Sequence, residues 1–244
     1  MPEGHTLHRL AREHQRWFAR RPVTVSSPQA TFPGAELVNG HVLTKSEAYG
    51  KHLFHHYDTG MQVHVHLGLF GKVFTQQLED GEPPAPPRPT SRMRVVGAGH
   101  VIDLVGATAC ELLSPDEADA IAARLGPDPL RPDADPDKAL AALHRRSIGI
   151  GRALMDQKVL AGVGNVFRAE LLFVHGIHPD VPAKSIDAET WNAMWGTLVD
   201  WLKYGVSSGR IVTTDPAEVG RSRGRMHDDE RVHVYKQDTC GRCG

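Results

Sequence analysis

The sequence predicts an α+β chain in two parts, a β-rich half led by one helix and then a helical half. Three observations predict it. Residues 5 to about 21 place apolar side chains at helical spacing. Between 23 and about 112 the texture changes to short alternating runs broken by turn signals. From 114 onward the periodicity is helical again, with capping residues at the starts.

In the leading helix Leu7, Leu10, Ala11, His14, Trp17 and Phe18 form the apolar stripe, and Pro22 stops it. The runs VTVSS, HVLTKSEAYG, HLFHHY, MQVHVHL, GKVFTQ, RMRVVGA and HVIDLV then predict an antiparallel sandwich or barrel, with turns at DTG (58–60) and GAG (97–99). EPPAPPRP (82–89) is a stiff, exposed loop between strands. Ser114 and Glu117 make a capping box for a helix over 114–126. PDPLRPDADPD (127–137) has the composition of a linker. Helices follow at 137–146, 151–160, 165–175 and 187–204, the last with a core stripe of Trp191, Met194, Trp195, Leu198, Val199 and Leu202. The domains are therefore expected at 1–126 and 138–226, joined by 127–137, with a terminal segment at 227–244.

The chain has 244 residues, 40% hydrophobic and 23% charged, which suits an ordinary globular protein and excludes a disordered one. No apolar run reaches the length of a membrane span, and the start lacks the apolar stretch of a secretion signal, so a cytoplasmic location is expected. A net charge of -1 speaks mildly against a nucleic-acid binder, but the distribution is uneven. Acidic residues crowd from Asp103 to Asp137; basic ones mark the first helix and the stretch from Arg210 to Arg231.

The start, Met1-Pro2-Glu3-Gly4, carries the first chemical signal. Removal of Met1 would expose a secondary amine on Pro2. Reference α-amino groups titrate near pH ~8, against ~10.4 for lysine, so a useful fraction is neutral at pH 7. Such an amine attacks an aldehyde-like carbon and forms an iminium ion. Glu3, beside it, can move protons.

The second signal is LMDQKVLAGVGNVFRAELLFVHGIHPD (154–180). A helix runs into the turn Gly162-Val163-Gly164, and Asn165 is expected to cap the next helix. The N–H groups at that helix start, with the Asn165 side chain, could hold a phosphate, and Lys158 and Arg168 add charge nearby. A second glycine turn at His175-Gly176-Ile177 completes a helix–two-turn–helix pattern for gripping a DNA backbone. The third signal is Cys240-Gly-Arg-Cys243 after Val234-Tyr235, which supplies two of the four ligands of a structural zinc site. His227 and His233 are alternative ligands. His64 and His66, at i and i+2 on one strand face, are expected to be solvated, with metal binding as the alternative. Cys110 is expected to be a buried strand residue.

The MPEG start, the Gly50-Lys51 pair, the GVGN turn and the VY…CxxC ending together resemble the formamidopyrimidine-DNA glycosylase / endonuclease VIII family. The match runs in order over nearly the whole chain. The resemblance implies an N-terminal antiparallel β-sandwich and a C-terminal helix–two-turn–helix domain with a zinc finger, here partial. It implies a monomer acting on damaged DNA as a glycosylase and abasic-site lyase, with zinc and no organic cofactor. By this resemblance Pro2 is the nucleophile, Glu3 the acid/base, and Lys51 a catalytic group that meets a phosphate, as does Asn165. The sequence departs from the family where its finger would add a second CxxC and a phosphate-binding arginine. It also lacks the Arg-x-Phe wedge of the branch that acts on oxidised guanine, reading Gly106-Ala107-Thr108-Ala109-Cys110-Glu111 there. Leu69 and Phe70 look like the endonuclease VIII manner of filling the hole left by a flipped base, with strand-end core packing as the alternative. Oxidised pyrimidines are thus expected ahead of oxidised purines. The rival functions are a helix–two-turn–helix protein that binds nucleic acid without chemistry, and a family member that has lost activity.

Overall fold

A computed structural model describes residues 2–239. The chain forms two units. One holds Pro2 and Leu10–Ala123, and the other holds Glu3–Arg9 and residues 124–239. Helix α1 (Gly4–Phe18) therefore contributes its first turns to the second unit and the rest to the first. Its apolar stripe faces inward as predicted, with Leu7, Ala11, His14 and Phe18 buried and Leu10 and Trp17 half-buried.

The first unit continues through β1 (Arg21–Pro22), β2 (Thr24–Ser26), a short helix α2 (Ala35–Val38), β3 (Val42–Tyr49), β4 (His52–Tyr57), β5 (Gln62–His66), β6 (Lys72–Gln77), β7 (Ser91–Val96), β8 (His100–Val105), β9 (Ala109–Leu113) and α3 (Pro115–Ala122). The strands make two antiparallel sheets, one of order β1-β3-β4-β5-β9 and the other β2-β7-β8-β6. The predicted turns and the exposed proline-rich loop lie where the composition put them. Strand β9 carries Cys110, the buried strand residue that the sequence predicts, and pairs with β5. Alternation does the rest: Leu53, Val63, Val65 and Cys110 of one sheet and Met93, Val95, Ile102 and Leu104 of the other are all buried. Burial pushes the Cys110 thiol up to about 12, so it is an inert core group. The core also holds a histidine pair. His14 Nδ1 and His55 Nε2 lie 2.9 Å apart, both rings fully buried, and burial holds both well below the ordinary imidazole value. At α3 the capping box is present in both directions between Ser114 and Glu117.

The second unit contains α4 (Pro136–His144), α5 (Ile150–Ala153), α6 (Asn165–Val174) and α7 (Ala188–Ser208) around a core that includes Leu143, Leu160, Phe167, Leu171, Trp191, Met194, Leu198 and Leu202. Residues 127–137 pack into this unit. Ala161 N donates to Pro127 O, and buried Asp128 meets His8 Nε2 at 2.6 Å. The helix predicted over 151–160 is only the single turn α5. Beyond it the Asp156 carboxylate accepts from Lys158 N and from Arg146, and the Gln157 side chain bonds Met155 O, Val163 O and Gly162 N. Side chains that satisfy backbone groups locally compete with helix in this way. Helix α7 ends at Gly209 in the left-handed region, as a C-cap glycine should.

Candidate active site

Two sets of groups stand out, one in each unit. In the second unit Glu3 is wholly buried. One carboxylate oxygen accepts from Gly164 N at 2.7 Å and the other from Val166 N at 2.9 Å. Gly4 N donates to Gly162 O at 2.8 Å, so the start of α1 is laced to the glycine turn on both sides of Glu3. The glycines are required sterically. A Cβ on Gly164 would lie 2.4 Å from the Glu3 carboxyl carbon, and one on Gly4 would lie 2.9 Å from Gly162 Cα. Gln157 holds the turn from the other flank. No sequence motif marks this residue, because a lone glutamine carries no signal of its own.

This geometry corrects one expectation. Asn165 does not cap α6: the N-cap residue is Gly164, and no side chain of that residue closes the helix. The carboxylate of Glu3 does so from 161 and 163 positions away, taking N–H groups that were expected to be open to a phosphate. The positive end of α6 thus faces a fixed anion. Asn165 itself is half-buried at the first position of α6. Arg168 is half-buried one turn on, and Lys158 is exposed.

In the first unit Lys51 sits in the turn between β3 and β4, where Gly50 takes a φ of 58°. Leu69 and Phe70 lie in the turn from β5 to β6, 63% and 83% exposed, which rules out core packing for them. Gly68 (φ 65°) lets that turn close against Thr108, and Gly71 N donates to Leu67 O. His64 is not solvated as expected: it is buried and bonded to Glu111 and His52.

A further carboxylate is Glu170 of α6, which no motif marks in the sequence. It is wholly buried and accepts from the Thr213 hydroxyl, from the backbone N–H of His233, Val234 and Tyr235, and from His233 Nδ1. Burial alone would raise its pKa, but these donors outweigh burial and hold it at about 2. His233 is raised, first by its bond to Glu170 and further by Glu218 on its other nitrogen. With both ring nitrogens so used, His233 does not fit the role of an alternative zinc ligand. Among the described residues no group of three or more His, Cys, Asp or Glu could hold a metal ion. Cys240 and Cys243 lie outside the described residues. Among those residues, too, no helix is long and apolar enough to cross a membrane.

Comparison with known proteins decides the family. Residues 1–105 match the formamidopyrimidine-DNA glycosylase N-terminal domain, and residues 125–216 match the H2TH domain of the same glycosylases. The chain is 48% identical to the Endonuclease 8 1 of Mycobacterium tuberculosis, covering 100% of this chain and 92% of the relative. This chain belongs to the formamidopyrimidine-DNA glycosylase / endonuclease VIII family. A second family member, the probable endonuclease 8 2 of Streptomyces coelicolor, is 33% identical over 100% of this chain and 85% of its own length. The family fold is shared with the Lactococcus lactis enzyme solved in complex with DNA containing N7-benzyl-Fapy-dG, at a TM-score of 0.75 and 20% identity over 100% of this chain and 92% of that one. The sandwich and the helix–two-turn–helix unit expected from the sequence are thus both present.

Proposed function

We propose that this chain is a bifunctional DNA glycosylase and abasic-site lyase of base excision repair. It removes oxidised bases, pyrimidines ahead of purines, and then cuts the strand. The observation that carries the reading is Glu3: a buried carboxylate adjacent in the chain to Pro2 and gripped by the family's own glycine turn.

The chemistry follows from these groups. With Met1 removed, the neutral Pro2 amine attacks C1′ of the damaged nucleotide and the bond to the base breaks. Glu3 moves a proton as the sugar ring opens, and an iminium ion links Pro2 to C1′. Loss of a proton from C2′ then expels the 3′ phosphate, and a second elimination expels the 5′ phosphate. The pinned carboxylate needs no reorganisation to take part, which is the benefit of a preorganised site. Exposed Leu69 and Phe70 suit the filling of a gap left by a flipped nucleotide. Lys51 and Asn165 contact the flanking phosphates, with Lys158 and Arg168 adding positive charge. Cys240 and Cys243 supply two thiolates at the spacing of half a zinc site. The protein acts as a cytoplasmic monomer on damaged DNA.

Borohydride reduction on DNA carrying an oxidised pyrimidine tests the reading. A covalent protein–DNA adduct is expected with the processed chain and is lost in Pro2→Gly or when Met1 is retained. Undiminished trapping with Met1 in place would exclude Pro2 as the nucleophile and assign the step to another amine, whereas no trapping with the processed chain would restore the non-catalytic alternative.

A further inference from the structure

The sheet register places His52 opposite His66, Phe54 opposite His64, and His64 opposite Glu111, so these five side chains share one face of the five-stranded sheet. Within that face the hydrogen bonds run in a line. His64 Nδ1 lies 2.9 Å from Glu111 Oε1, and His64 Nε2 lies 2.8 Å from His52 Nδ1. The His52 and His64 rings are stacked 5.1 Å apart at 18°, and His66 lies against His52 at 4.9 Å. Phe54 stacks on His64 with ring centroids 5.1 Å apart and lies 6.5 Å from the His52 ring, so the three rings pack as one cluster.

The protons in this line are dictated by the carboxylate. Glu111 can only accept, so neutral His64 carries its proton on Nδ1 and presents Nε2 as an acceptor. His52 must then donate from Nδ1, which makes Nε2 the basic nitrogen of its ring. One end of the line, Glu111, has a half-exposed side chain; the middle, His64, is buried; and His52 is the chain neighbour of Lys51. A buried imidazole between a solvated carboxylate and a second imidazole is the arrangement of a proton relay.

We propose that Glu111, His64 and His52 form a proton relay serving the strand-cutting step at the Lys51 turn. The inference rests on the glycosylase–lyase reading. In the elimination the C2′–H bond breaks, its electron pair forms the C1′–C2′ double bond of the enamine, and the C3′–O bond breaks with its pair leaving on the 3′ phosphate. The released proton is taken up at His52 Nε2. His52 passes its Nδ1 proton to His64 Nε2, His64 passes its own Nδ1 proton to Glu111, and Glu111 releases it to solvent. Lys51 is left in its charged form to hold the phosphate.

The test separates the steps. Single-turnover rates of base release and of strand cutting at a preformed abasic site are measured for the wild type, Glu111→Gln, His64→Gln and His52→Ala, with borohydride trapping in parallel. The relay predicts that trapping and base release stay within about twofold while strand cutting falls by about tenfold in Glu111→Gln and His64→Gln and further in His52→Ala, in the range typical of lost acid–base assistance. Added imidazole should restore cutting to His52→Ala, an effect that a packing role cannot give. Equal losses in all three steps, unchanged cutting, or no rescue by imidazole would each overturn the relay. Failure of the wild type to trap at all would instead overturn the lyase reading on which it rests.

Discussion

At the Gly162–Asn165 turn the groups that meet Glu3 are backbone amides, whereas on the sheet face beside Lys51 the hydrogen bonds run between side chains. The difference lies in what each can tolerate. Backbone donors are placed by the path of the chain, so the turn depends on residues that have no side chain to intrude. The sheet face is placed by strand register, which survives replacement of any one histidine, so its members can be altered singly. One region is rigid and intolerant, the other modular. The exposed Leu69–Phe70 turn is an extreme of the second kind, with little packing to lose.

The largest expected effect breaks the rigid side. Gly164→Ala puts a methyl group 2.4 Å from the Glu3 carboxyl carbon, so the carboxylate must move. Misplacement by about an ångström costs on the order of 100-fold in rate, and a loss of that size in base release is expected. Gly176→Ala is the control. That residue has a φ of 63° and nothing within 4 Å of an added Cβ, so the cost is about 1 kcal/mol of strain with the rate per folded molecule unchanged. Similar rates for the two variants would remove the steric argument.

Glu170 sharpens the comparison, because it is a buried carboxylate of the same unit used for anchoring. Its donors hold the segment from Thr213 to Tyr235, and Glu170→Gln, which turns an amide toward N–H groups, should cost about 3 kcal/mol. The sign of the pH effect follows from its lowered pKa. The carboxylate contributes fully above its unfolded value of ~4.3. That contribution is lost as the pH falls through about 2. Thermal melts from pH 5 to pH 2 should therefore fall more steeply for the wild type than for Glu170→Gln. Parallel curves would show that the donors do not stabilise the ionised form.

The smallest effect on stability belongs to the exposed turn. Leu69→Ala and Phe70→Ala should leave the melting temperature unchanged, since exposed substitutions fall within about ±0.5 kcal/mol. Base release from duplex DNA should fall about tenfold, while release from single-stranded DNA, which has no partner base to support, should not. A drop in melting temperature would return these residues to a packing role.

Much of this was legible in the sequence because it depends on local pattern. The stripe of α1, the alternating runs and the Ser114 capping box are set by residues a few positions apart, and they appear where the periodicity put them. Pro2, Glu3 and the GVGN turn were each visible as motifs. The helix predicted over 151–160 does not form beyond one turn because Asp156 and Gln157 bond the backbone themselves, a competition that helical periodicity does not show.

The sequence by itself determined the α+β order, the apolar faces and the list of reactive groups, since each of these is a property of residue type and short-range spacing. Only the tertiary structure decided which of those groups meet. It gave the amides at the start of α6 to Glu3, the two nitrogens of His233 to Glu170 and Glu218, and His64 to a line between Glu111 and His52. The physical reason is that a buried polar group must find a partner, and in a folded chain that partner is chosen by proximity in space, which sequence spacing does not record.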